Sequence, residues 1–201
     1  MQSKSIAVFV DLESRYGQSI VRGVTRYLHA HAPWIVFGGP ESIISPLQDI
    51  SHWSGDGIIA QIANPEMDHF LRDTRASVVN ISHVLSETRY PTVRADNIAV
   101  GRLVADYFVK RGFRNLAYCG YTGHAYSLMR GDSFVQAAQE HERQAVRAYI
   151  PGYPPRSIKP SSFELQLREW IQALPRPVGV MACNDVRAHQ ITQACLALGL
   201  R

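Results

Sequence analysis

Several signatures are missing from this 201-residue chain. It has neither a GxGxxG nor a GxxxxGK[ST] loop, so both nucleotide-binding fingerprints are unmet. No GxSxG turn occurs and no Ser-His-Asp order is recognisable, which removes the usual nucleophile arrangements. The eight histidines form no HxxxH or HExxH, and the three cysteines, Cys119, Cys183 and Cys195, include no CxxC pair. No metal, no cofactor and no catalytic residue are therefore predicted. An odd number of unpaired cysteines points to reduced thiols in a cytoplasmic protein. No 18-residue apolar span is present, and the five-residue apolar run Ile6–Val10 before Asp11 is too short for a signal-peptide core. Neither a membrane partner nor export is expected. Basic residues form no run or stripe along the sequence. Their excess of 21 over 17 acidic residues reads as a mildly basic solvated surface, not a nucleic-acid interface.

What is present is a rhythm. With 46% hydrophobic and 19% charged residues the chain has material for a real core. Short apolar runs at Ile6–Val10, Trp34–Phe37, Gly57–Ile62 and Ser77–Ile81 predict strands. Helical spacing lies between them: Ile20, Val21, Val24, Tyr27 and Leu28, a weaker helix over 43–52, and one opened by Pro65. A further short strand is expected at 92–95. Asp96 then reads as an N-cap, Ile98, Leu103, Val104, Tyr107 and Phe108 recur at helical period, and Gly112 marks the stop. Strands at Leu116–Cys119, Val146–Ile150 and Val178–Cys183 alternate with helices over 128–141, from Ser161 or Ser162 to Leu174, and over 185–198. A proline-rich loop is expected at 151–160.

Strands separated by helices force parallel pairing with right-handed crossovers. The predicted class is α/β, as two doubly wound parallel-sheet lobes, residues 1–96 and 97–201. The second lobe has only three clear strands and is read as incomplete, the chain as part of a longer protein.

In such sheets ligands lie beyond the carboxyl ends of the strands. Those ends carry Asp11, Glu13, Ser14, Arg15 and Tyr16 after strand one, then Gln61 and Asn64, then His83. In the second lobe they carry 120–130, with Arg130, and Asn184 with Asp185. Carboxylates and amides can engage neighbouring hydroxyls, arginine supplies a planar fork, and an aromatic ring covers an apolar sugar face. Each also has a plainer reading: Asp11 and Asp185 as helix caps, Tyr16 as packing, Arg130 as a solvated face. Cys119 and Cys183 read as inert core thiols.

The set Val93-x-x-Asp96 with Gly101, Gly112 to Leu116, Arg130-x-x-x-Phe134 and Cys183-Asn184-Asp185-x-x-Ala188 resembles the effector domain of lactose-repressor-type regulators. The opening, RYGQSIVRGVTRYLHAHAPWIVF followed by WSGDGIIAQI, resembles more narrowly the xylose operon regulators, which place an AraC-type DNA-binding domain after the sensor. The resemblance implies the type I periplasmic-binding-protein fold and a sugar effector, D-xylose, bridging the lobes of a homodimer. It also implies operator DNA bound through a domain missing here. Arg130 matches the sugar-contacting arginine, Asn184 and Asp185 the polar pair of the second lobe, the Asp11 to Tyr16 loop the first-lobe contact, and Asp96 a position near the crossover. Two other classes stay open: a sugar-binding transport protein of the same fold, and an α/β enzyme using Asp11 or Asp185 as base.

Overall fold

Short apolar runs become parallel strands when each is followed by a helix long enough to return the chain to the same edge. The computed structural model describes residues 3–31, 34–37, 53–150 and 162–200, and contains two such sets. They form separate units, one ending at Arg94 and the other beginning at Ala95, where the sequence pattern suggests Asp96.

The first unit runs β1 (Ser5–Phe9), α1 (Arg15–His31), β2 (Ile35–Phe37), β3 (Gly57–Ala60), α2 (Pro65–Leu71) and β4 (Ser77–Asn80). All neighbours pair in parallel, in the order β2-β1-β3-β4. Alternate strand residues point to opposite faces. Ala7, Ile58, Ala60 and Val78 pack with Leu71 on one, while Val8, Val10 and Ile81 meet Ile20, Val21 and Val24 of α1 on the other. The strand expected at 92–95 shrinks to a single bridge between Asn80 and Thr92. Its continuation is cut short because Asp96 already caps the next helix. The helix expected over 43–52 and the loop over 151–160 lie outside the described residues.

The second unit runs α3 (Asn97–Lys110), β5 (Asn115–Gly120), α4 (Ala125–Glu140), β6 (Gln144–Tyr149), α5 (Ser162–Ala173), β7 (Val178–Ala182) and α6 (Asp185–Ala197). Its three strands are parallel in the order β6-β5-β7. Leu116, Tyr118 and Met181 bury against Ala105, Phe134 and Ala138, from α3 and α4. Cys119 packs into the opposite layer, made of Phe163, Leu167, Ile171, Ile191 and Ala194 from α5 and α6. Each fully buried side chain of this size contributes about 1.5–3 kcal/mol. The fold is thus α/β, parallel and layered on both faces, as the rhythm of the sequence implies.

Two features depart from the linear pattern. In α3 the apolar residues Ile98, Leu103 and Tyr107 are exposed, and Gly101 and Ala105 face the core instead. In α1 the arginines are not scattered: Arg15, Arg22 and Arg26 share the outer face with His29. The reading of the charge as stripe-free therefore fails for this helix. Gly112 adopts φ +82°, the left-handed stop expected of it.

Candidate functional site

In the first unit, the turn after β1 folds onto itself. Asp11 Oδ1 accepts from the Glu13 amide at 2.9 Å, and Ser14 Oγ donates to the Asp11 carbonyl at 2.8 Å. Ser14 Oγ also accepts from the Gly17 amide at 3.0 Å, so Ser14, not Asp11, caps α1. Gln61 Oε1 accepts from the Asp11 amide at 3.2 Å, joining the β3 end to this turn. Tyr16 is half-exposed, and its hydroxyl donates to the Ile81 carbonyl beyond β4. Asp11, Glu13, Ser14, Tyr16 and Gln61 therefore gather at the carboxyl ends of β1, β3 and β4. Asn64 is spent as the cap of α2, accepting from the Met67 amide at 2.8 Å. His83 sits 2.6 Å from Arg94, and burial followed by that cation holds its ring below the usual histidine range.

In the second unit the groups hold one another. Arg130 Nε donates to Asn97 Oδ1 at 2.9 Å, its Nη1 donates to the Cys183 carbonyl at 2.5 Å, and its guanidinium lies 5.2 Å from the Tyr126 ring centroid. Asn184 caps α6 by accepting from the Arg187 amide at 2.9 Å, and its Nδ2 donates to the Tyr126 hydroxyl at 3.0 Å. Asp185, exposed in the first helical turn, is not the cap. Asp96 caps α3 through the Ala99 amide at 2.9 Å and is exposed.

The position of Arg130 is set from below. At Gly131 a Cβ would lie 2.4 Å from the Tyr149 hydroxyl and 2.6 Å from the Tyr118 ring, and at Gly120 one would lie 2.2 Å from Ser127 Oγ. Helix α4 can rest this close to β5 only because both positions lack a side chain.

Sequence reasoning passes over several members of this cluster. Asn97 is 3% exposed and orients Arg130. Arg187 is fully buried, lies 4.3 Å over the Tyr121 ring, and donates from Nη2 to the Ile150 carbonyl. Its spacing to Ile191 and Ala194 puts it on the buried stripe of α6, a signal present in the sequence. The His124 ring sits between those of Tyr121 and Tyr126, tilted against both, at centroid distances of 5.3 and 5.7 Å. Burial, then the Arg187 charge, lowers its affinity for a proton. Burial pushes the Tyr126 hydroxyl well above its ordinary range, so it remains a neutral phenol. Cys119 is pushed up to about 12 by the same cause, and Cys183 is also raised. Both are core thiols without nucleophile character.

The arrangement offers a fixed arginine fork, an amide and phenol hydroxyls, groups suited to bind oxygen-rich neutral molecules. Among the described residues no cluster of three His, Cys, Asp or Glu could hold a metal, and no helix is long and apolar enough to cross a membrane.

Comparison with known proteins agrees with both halves. Residues 5–100 match the XylR N-terminal domain and residues 105–201 the periplasmic binding protein-like domain. The xylose operon regulatory protein of Escherichia coli (strain K12) is 27% identical over 94% of this chain and 50% of its own length. The solved structure of a xylose-binding transcription activator, xylR, superposes with a TM-score of 0.82 at 23% identity, over 99% of this chain and 51% of that one. A ribose operon repressor from Burkholderia thailandensis superposes at 0.74 and 18% identity, over 100% and 76%. The chain spans about half the length of the curated relatives it matches. It carries the periplasmic-binding-protein-like fold, and its first unit is similar to the XylR N-terminal domain.

Proposed function

We propose that this chain is the effector-binding region of a transcription regulator of sugar catabolism, with D-xylose as the effector. The match of residues 5–100 to the XylR N-terminal domain carries this reading. The named relatives are regulators, which favours sensing over turnover. Arg130, pre-aimed by Asn97 and the Cys183 carbonyl, is the principal hydrogen-bond donor to the sugar, with Asn184 and Asp185 beside it. Asp11, Glu13, Ser14, Tyr16 and Gln61 are the hydroxyl-binding groups of the first unit, and Asp96 contributes the carboxylate oxygen that does not cap α3. Operator DNA would be met by an AraC-type domain outside this chain, in a cytoplasmic homodimer. Sugar can shift such a regulator only by binding one of its arrangements better than another.

Titration calorimetry of the chain with D-xylose, D-ribose and D-glucose tests the sensor assignment. Saturable heat is expected with xylose, weaker or absent with the others. Preference for ribose would reassign the effector, and silence from every sugar would remove the sensor role.

A further inference from the structure

Helix α1 contains three arginines and no acidic residue. Arg15, Arg22, Arg26 and His29 follow at intervals of seven, four and three residues. At 3.6 residues per turn they fall within about 40° of one line, along about 21 Å of helix axis. All four are exposed. Arg22 bonds Ser19 Oγ at 3.0 Å, and none of the three arginines is in an ion pair among the described residues. The segregation is sharp, because the rest of residues 1–94 holds five basic against nine acidic side chains. A shallow depression of about 600 Å³ follows the same face, lined by Val21, Arg22, Thr25, Arg26, His29 and Ala30.

We propose that the outer face of α1 docks the phosphate backbone of duplex DNA. Charge complementarity argues for it: on each strand phosphates follow about every 3.4 Å of axis, so the stripe spans several of them. Arginine forks suit phosphate oxygens. An acidic protein surface fits less well, since tight protein contacts centre on buried aromatic or apolar anchors. Between these side chains stand Ser19, Gly23 and Thr25, the apolar lining of the depression is limited to the small side chains Val21 and Ala30, and the exposed Tyr27 lies to the side, stacked on His31. Contacts of this kind position a protein on DNA without reading its sequence. The proposal stands apart from the sugar assignment.

Fluorescence anisotropy with a short labelled duplex of arbitrary sequence tests it on the intact chain. Three phosphate contacts predict about a 40-fold loss of affinity between about 50 and 200 mM salt. In R22Q/R26Q the loss over that range should fall to about 3.5-fold, as for one remaining contact. K110Q/R114Q removes the same charge from exposed positions of the second unit and should leave binding as in the unaltered chain. Both pairs keep a helix-tolerant side chain, and circular dichroism verifies the fold. The proposal is overturned by absence of binding at low salt, by an equal loss in both pairs, or by preference for poly-glutamate over the duplex.

Discussion

The two units build their strand ends in different ways. In the first, Asp11, Ser14 and Gln61 spend their polar atoms on the backbone of a single turn and its neighbour. In the second, Asn97, Tyr126, Arg130 and Asn184 come from two helices and the cap of a third and bind one another. A turn closed on itself is locally stable, and it leaves Asp11 and Glu13 exposed. A cross-linked cluster fixes its donors before any guest arrives, which saves the entropy of ordering them on binding. Charge is divided as unevenly. Residues 1–94 hold eight basic and nine acidic side chains, residues 95–201 the other 13 and eight, yet in the first set three arginines line one face of α1.

The sharpest way to break this comparison is through the cores. Phe134 is fully buried in the second unit, and Phe134→Ala should cost it about 3–5 kcal/mol. Hydrogen exchange should then speed up in β5 while the amides of β1 and β3 keep their protection; loss of protection in both would show that the units do not stand alone. Next in size, Arg130→Ala should weaken sugar binding by about 1.5–3 kcal/mol, as for a charged hydrogen bond. Unchanged xylose affinity by calorimetry would take Arg130 out of the site.

Caps compare the units directly. Ser14→Ala removes a cap and should cost the first unit about 1 kcal/mol. Asn184→Ala removes a cap and the bond to Tyr126, and should cost the second about 2 kcal/mol. Equal losses in urea unfolding would mean that the cross-link adds nothing. The smallest effect concerns pH. Folding depresses the His124 pKa, so below its ordinary value of 6.5 the unfolded chain takes up the proton first. Stability of the second unit should fall as pH drops from 7 to 5, and His124→Gln should flatten that fall in thermal melts.

How far the sequence reveals all this depends on what each feature needs. Strands and caps are local, and Asp96, Gly112 and the apolar runs announce them. The buried face of α3 is not local: Gly101 and Ala105 win it because α4 comes close, and Ile98, Leu103 and Tyr107 are left outside. Arg130 is legible through resemblance, but Asn97 acquires its role only when α3 meets α4, and Tyr126 only when the end of β7 brings Asn184 beside α4. The α1 stripe escapes a linear scan because its four members are spread over 15 residues and align only once wound into a helix.

Gly120 and Gly131 bracket the segment that carries Tyr126 and Arg130. Two absent methyl groups thus decide the height at which the guanidinium stands above the sheet. A descendant that gained alanine at either place would keep every polar atom of the cluster and still present its fork from the wrong level. Under the sugar-sensing role proposed above, effector preference would then shift through two buried backbone positions.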